Sequence, residues 1–176
     1  DSILKWCEAV RERCYDKSVY GSYHFSEAKR EKQELMYAFA VIDVLCDAFY
    51  VLRQTMLLDF AEEIARFWIA LQSRIGLFPT TKESLVSHQD YTNDFIISLW
   101  RLYELTDNEH YREVSERAMG GLFRYHTFSL RVNCQSGQVV DASVIPKYVF
   151  LMSKPVVLVQ ENAIYKNRKI SKLLRD

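Results

Sequence analysis

Within residues 88–119, HQDYTNDFIISLWRLYELTDNEHYREVSERAM, the apolar positions fall into two helical periods separated by a short polar break. Phe95, Ile96, Leu99, Leu102, Tyr103 and Leu105 recur at three- and four-residue spacing, the period of a helix with one broad buried face. Thr106, Asp107 and Asn108 supply turn and N-cap chemistry, with Glu109 in the first turn after them. Tyr111, Val114, Ala118 and Leu122 then begin a second amphipathic period. Two long helices therefore meet at a tight turn.

The same reading along the rest of the chain predicts helices near 1–16, 30–53, 56–74, 91–106, 108–125 and 142–160. The first sets Ile3, Trp6, Cys7, Val10 and Cys14 against Lys5, Glu8, Arg11 and Glu12. The second is apolar almost all round, so it requires burial on most sides. The third turns Phe60, Ile64, Phe67, Trp68 and Leu71 inward and stops at Gly76 and Pro79. Residues 16–25 read as a loop or short extended segment, and 77–89 as a long polar loop. Phe128, Leu130 and Val132 alternate ahead of Ser136 and Gly137, which predicts a small β-hairpin inside a loop. Pro146 and Pro155 kink the apolar helix at 142–160, and a short basic helix closes the chain.

These elements repeat. A shift of about 53 residues lays Leu58, Ala61, Ala65 and Ile69 on Tyr111, Val114, Ala118 and Leu122, and Ile42, Cys46, Tyr50 and Leu52 on Phe95, Leu99, Tyr103 and Leu105. The same shift lays Phe95, Ile96, Leu99, Tyr103 and Leu105 on Tyr148, Val149, Met152, Val156 and Leu158. The expected fold class is all-α: three consecutive helical hairpins, each an amphipathic helix followed by a more apolar one, in a single domain over 1–176. Links within a repeat are long and links between repeats are short, so all the long loops gather at one end, where a pocket belongs.

With 176 residues, 49% of them apolar, one domain can bury a sizeable core. Acidic and basic residues balance at 23 each, which leaves no global field for nucleic acid or an anionic membrane. The longest apolar run, 37–52, is broken by Asp43 and Asp47 and reads as too short and too polar to span a membrane. Cys7, Cys14, Cys46 and Cys134 lack metal-ligand spacing, so no metal or other cofactor is expected; they read as buried free thiols of a reducing, cytoplasmic compartment. The chain begins at Asp1, as a processed form, a trimmed chain or the C-terminal part of a longer protein would.

GLFP at 76–79, then DYTNDFIISLWRLYELTDNEHY at 90–111, resembles the D…TDF…LW.LYELTG…Y run of the α/α toroids, in particular the six-hairpin glycosidase-like superfamily. YAFAVIDVLCDAFY at 37–50 and the tail ENAIYKNRKISKLLRD are similar to the C-terminal half of such domains. The resemblance implies a part of a toroid acting on carbohydrate through carboxylates at the wide end, with Asp94 matching the aspartate of the TDF motif. Asp107 and Asn108 stand where that pattern has a glycine turn.

Asp43 and Asp47 are four apart and almost the only polar residues of their helix, so burial there raises at least one pKa, as in an acid–base pair. The alternative is a solvated seam or pairing with Arg or Lys. His88, Asp90, Asn93 and Asp94 cluster where an inner helix begins, at the long-loop end; simple capping is the alternative there. His24 and His126 read as solvated loop residues. Tyr20, Tyr23, Phe25, Phe78, Tyr91 and Tyr125 are candidate stacking platforms for sugar rings or ordinary packing. No nucleophilic Ser or Cys motif and no phosphate loop is present, which leaves paired acids: Asp94 as base or nucleophile, and Asp43 or Asp47 as acid. His88, Asp90, Tyr91, Asn93 and Phe78 are then expected to bind substrate. The resemblance equally allows a catalytically inactive relative that still binds sugars, and the competing expectation is a helical-repeat interaction module without chemistry. Three hairpins leave inner-helix surface bare, so self-association or packing against a missing N-terminal segment is expected.

Overall fold

The computed structural model describes residues 2–13, 15–16, 22–23, 34–126 and 130–140. The helices expected at 142–160 and at the C-terminus, together with Cys14, Tyr20, His24 and Phe25, lie outside these residues. The described residues form five helices: α1 (Ser2–Arg13), α2 (Leu35–Leu52), α3 (Thr55–Ile69), α4 (Gln89–Thr106) and α5 (Glu109–Tyr125). Two small antiparallel sheets accompany them: β1 (Tyr15–Asp16) with β2 (Ser22–Tyr23), and β3 (Val86–His88) with β4 (Arg131–Asn133).

Helices α2 and α4 pack side by side and run parallel: Phe39 meets Tyr91, Asp43 meets Ser98 and Asp47 meets Arg101 in ascending order on both. α3 folds back on α2, and α5 on α4. Polar bonds join these outer helices, from Tyr111 Oη to Glu62 Oε1 at 2.9 Å and from Gln72 Nε2 to the Val114 carbonyl at 3.1 Å. One core holds them all together, with Leu35, Ile42, Leu45, Ile64, Trp68, Phe78, Phe95, Ile96, Leu99 and Leu102 among its fully buried side chains.

The repeat is real, and its register is 54 residues. α2 begins at Leu35 and α4 at Gln89; α3 begins at Thr55 and α5 at Glu109. Every buried position of α2 (Leu35, Ala38, Val41, Ile42, Leu45, Cys46, Ala48) has a buried equivalent in α4 at that offset. The offset of 53 fails by one residue because apolar side chains flank the buried stripe on both edges, so a one-step slip still matches apolar to apolar. The helix ends remove the ambiguity. Arg53 and Asp107, 54 apart, both adopt the left-handed conformation at φ 56°, and their amides cap the carbonyls of Phe49 and Tyr103. Asn108 then caps α5, its side chain accepting from the His110 amide at 3.1 Å.

Several boundaries differ from expectation: α1 ends at Arg13, and Tyr15 and Asp16, expected in its last turn, belong to β1. α2 starts at Leu35, because Glu34 is extended, bridges to Thr81, and leaves the Leu35 amide donating to the Thr80 carbonyl at 2.9 Å. α3 stops at Ile69, well short of 74: the Leu77 amide donates to Ser73 Oγ at 3.1 Å, and Gly76 turns at φ 90° to bury Leu77 and Phe78. The segment 77–89 is not simply a polar loop, since it contributes β3. The hairpin expected around Ser136 and Gly137 exists in part, through a bridge from Val132 to Val139, and β4 adds β3 on its other edge.

α2 is also less enclosed than its apolar pattern requires: Val44 is 42% and Val51 70% exposed. By length and composition it is a candidate membrane span, 18 residues with mean hydropathy 1.9, contrary to the sequence reading. Its packing on α3 and α4, and the pairing of Asp43 and Asp47, mark it as a core helix with one bare edge.

Two substitutions test the turn geometry. A left-handed residue other than glycine costs roughly 1–2 kcal/mol, part of which is offset by the freedom glycine has when unfolded. Asp107→Gly is therefore expected to raise stability by about 0.5–1 kcal/mol in urea unfolding. A Cβ on Gly76 would fall 2.2 Å from the Arg117 carbonyl oxygen, so Gly76→Ala is expected to cost at least about 2 kcal/mol.

Candidate functional site

Because α2 and α4 are parallel, their N-termini open at the same end, and the loops gather there. The Gln89 amide donates to the Leu130 carbonyl at 2.9 Å, and the Thr80 amide to Val86 at 2.8 Å. This places Glu34 and Tyr37 from the start of α2 beside His88, Asp90 and Tyr91 from the start of α4. Tyr91 stacks at 4.7 Å and 30° on His88 and lies 6.4 Å from the Phe39 ring. Burial raises the Tyr91 pKa, reinforced by Glu34, Tyr37 and Asp90. Burial lowers that of His88, against the pull of Asp90 and with help from Arg131, which favours a neutral imidazole at pH 7. His88 Nδ1, Asp90 Oδ1 and Asn93 Oδ1 are buried and find no hydrogen-bond partner among the described residues. Groups of that kind are costly unless something satisfies them.

Further along the α2–α4 seam sit the aspartates. Ser98 Oγ donates to Asp43 Oδ1 at 2.9 Å across the seam and lies 3.3 Å from the backbone carbonyl oxygen of Asp94, one turn earlier on α4. Asn93 Nδ2 donates to Asp94 Oδ1 at 3.3 Å. Arg101 Nη1 reaches Asp43 Oδ1 at 3.3 Å, while its Nη2 pairs with Asp47. Burial pushes the Asp43 pKa up, opposed by Arg101 and by the Ser98 hydrogen bond. Burial pulls Arg101 down, and the two aspartates more than offset it. Asp47 is the open end of this triad, its side chain 71% exposed.

The sequence reading left open whether Asp43 and Asp47 pair with a base; they do, through Arg101, which it did not single out. The signal was available: with the repeat in register, Arg101 is the equivalent of Asp47, opposite charges at the same helix position. Ser98 was likewise missed. Phe78 lies wholly inside the core, edge-on to Phe95 at 4.8 Å and 87°, away from any ligand face. His126 is fully buried, not solvated, with Nε2 3.3 Å from Ser87 Oγ, and Ser87 in turn 3.1 Å from Thr92 Oγ1. It ties the end of α5 to β3. Cys7, Cys46 and Cys134 are buried free thiols, and burial pushes Cys46 up to about 12. Among the described residues no group of three or more His, Cys, Asp or Glu side chains is placed to hold a metal.

This arrangement defines a class, a repeat of α/α hairpins with parallel inner helices, and solved structures share it. The chain is similar to the Lin0763 protein from Listeria innocua, with TM-score 0.66 and 13% identity over 97% of this chain and 50% of that one. It is similar to a family 76 glycoside hydrolase from a bovine Bacteroides thetaiotaomicron strain, with TM-score 0.62 and 14% identity over 96% of this chain and 39% of that one. A third is cellobiose 2-epimerase from Bacillus thermoamylovorans B4167, with TM-score 0.66 and 14% identity over 89% and 46%. The fold is a partial α/α toroid, and the chain spans half or less of each of these structures. No protein-family model and no curated protein matches the sequence.

Two outcomes follow from the geometry. A carboxyl with a raised folded pKa favours folding while protonated; that contribution is complete below its ordinary value of 3.8 and is lost as pH rises through the folded value. Removing Arg101 raises the folded value further, so Arg101→Met is expected to cost about 0.5–1 kcal/mol near pH 7 and less near pH 3 in paired urea titrations. Phe78→Ala is expected to lower stability by about 3–5 kcal/mol, the cost of a large buried cavity. Thermal denaturation measures it; a melting point equal to wild type would return Phe78 to the list of ligand contacts.

Proposed function

We propose that this chain is part of a carbohydrate-active, glycoside-hydrolase-like domain that binds a sugar ring where α2 and α4 begin. The supporting observation is the shared seam. The stacked His88–Tyr91 pair, flanked by Phe39, offers an apolar face of the kind a sugar ring covers, and buried polar atoms without partners lie beside it. Asp90, Asn93 and Asp94 supply hydroxyl-binding groups at the same end. The solved structures of this fold that are a glycoside hydrolase and a sugar epimerase agree with that reading.

In the catalytic form of the proposal, Asp94 is the base or nucleophile and Asp43, whose carboxyl accepts from Ser98, is the acid. Asp47, paired and open to solvent, serves to hold Arg101 rather than to move a proton. The buried thiols suit a cytoplasmic protein. A second reading, a helical-repeat interaction module without chemistry, draws on two features: Arg101 ties up Asp43 and Asp47, and the outer edge of α2 is apolar and bare.

The test is a panel of neutral mono- and oligosaccharides, followed by calorimetry for binding and by product analysis for turnover. Binding is expected to weaken about five- to tenfold in Tyr91→Ala, through loss of a stacking face of about 1–1.5 kcal/mol. Turnover, where present, is expected to fall by orders of magnitude in Asp94→Asn and Asp43→Asn while Asp47→Asn retains most of it. No saccharide binding at millimolar concentration would give the lead to the interaction module.

A further inference from the structure

Behind the His88–Tyr91 stack runs a chain of three buried polar side chains that no step of the proposed function uses. Ser87, Thr92 and His126 are each fully buried. Ser87 Oγ lies 3.1 Å from Thr92 Oγ1 and 3.3 Å from His126 Nε2. A hydroxyl gives one proton and accepts others, so the chain is satisfied with its protons running in either direction. Its placement carries the argument. Side chains alternate along a strand, and in β3 the buried Ser87 points to the opposite face from the partly exposed His88 that follows it. Thr92 likewise directly follows Tyr91 in the first turn of α4. The contact from Ser87 to Thr92 therefore spans the same strand-to-helix corner as the stack from His88 to Tyr91, the first inside the protein and the second partly open.

We propose that His126 is a positioning residue for this platform: acting through Ser87 and Thr92, it holds the His88 and Tyr91 rings in the stacked arrangement that receives a sugar ring. The inference rests on the sugar-site reading for its purpose and on geometry for the positioning itself. His88 Nδ1 has no hydrogen-bond partner among the described residues, so the ring takes its orientation from Tyr91 and from the backbone that carries it. That backbone is fixed along one edge by β4, where Ser87 pairs with Val132 and His88 with Arg131, and by the Gln89 amide donating to the Leu130 carbonyl. Those bonds lie in the plane of the sheet and leave β3 free to tilt against α4. The contacts of Ser87 with Thr92 and His126 run out of that plane and remove the tilt. His126 stands at the C-cap of α5, its amide donating to the Leu122 carbonyl at 2.9 Å, and α5 packs along α4. The corner that carries the two rings is thereby tied to a helix whose own place is set by the core.

Nuclear magnetic resonance of the whole chain without sugar tests it, with the His88 titration and the Tyr91 ring-proton shifts as readouts and circular dichroism to verify folding. Burial holds the His88 pKa below its ordinary 6.5, with Asp90 pulling it up and Arg131 pushing it down, and both charges remain in every variant. His126→Phe keeps the bulk of the ring and removes the bond to Ser87, whereas His126→Gln sets an amide nitrogen near the Nε2 position and keeps it. His126→Phe is expected to move the His88 pKa up toward 6.5 and to shrink the ring-current shifts between His88 and Tyr91; His126→Gln is expected to restore both. Thr92→Val, close in shape and without the hydroxyl, is expected to act as His126→Phe does, so the answer does not hang on one variant folding. Ser115→Ala removes another buried hydroxyl, bonded to the Tyr111 carbonyl at 2.8 Å, and is expected to leave His88 unchanged. With a saccharide from the panel, His126→Phe and Thr92→Val are expected to weaken binding about threefold, less than loss of the whole stacking face in Tyr91→Ala. A His88 titration unchanged in both variants overturns the positioning role. So does a stack that Phe preserves and Gln does not, or wild-type saccharide affinity in variants whose stack has moved. A wild type that binds no saccharide overturns the sugar-site reading instead, and the His88 readout decides the positioning without it.

Discussion

Parallel packing of α2 on α4 is the constraint from which the remaining geometry follows. Two consecutive apolar helices of one chain become parallel only if the chain travels back between them, and α3 with the segment 70–88 does this. The tight left-handed turn at Arg53 spends almost no length, so all the slack collects at the other end, above the N-termini of α2 and α4. A gathering of loops over two helix N-termini, where backbone amides and dipoles favour acceptors and carboxylates, is where a polar ligand is cheapest to hold. The scaffold thereby chooses the end at which His88, Asp90 and Tyr91 stand.

Within the seam, burial and pairing compete. A carboxylate in an apolar helix is costly to ionise, and Asp43 shows it in a raised pKa; Arg101 and Ser98 recover part of that cost. The half-exposed setting keeps the pair modest in energy but specific in position, because one guanidinium must satisfy two aspartates a turn apart. Slipping α4 by one residue would break both contacts at once. The ion pair therefore does for register what the apolar stripe, with its forgiving edges, does not.

The sequence made helices, hairpins and the parallel arrangement legible because each rests on local period and turn chemistry, as at Phe95 to Leu105 and at Asp107 and Asn108. It was less informative about things set by a partner distant in the chain. Glu34 ends up extended because Thr80 and Thr81 pair beside it, and His126 is buried because Ser87 reaches it from 39 residues away. Phe78 looked like a loop aromatic available to a sugar; its burial depends on the left-handed turn at Gly76, which a stop signal does not specify. Of the candidate site, the cluster at the start of α4 was readable as composition, whereas Ser98 and Arg101 emerge only when α2 is laid against α4.

A repeat also separates scaffold from site by where its symmetry fails. At an offset of 54, Leu35, Val41, Ile42, Leu45 and Ala48 correspond to buried residues in α4, so packing needs alone account for these positions. Asp43 instead corresponds to Ile97, Asp94 to Ala40, His88 to Glu34 and Asp90 to Met36. None of these four exchanges is one that packing two equivalent helices demands, since an apolar or small residue serves the equivalent place in three of them. Each lies on the seam or at its open end, and together they comprise most of the polar groups assigned to sugar binding and proton transfer. Polar residues that break an otherwise faithful repeat at its costliest positions are retained against the packing, which is the physical reason to test them first.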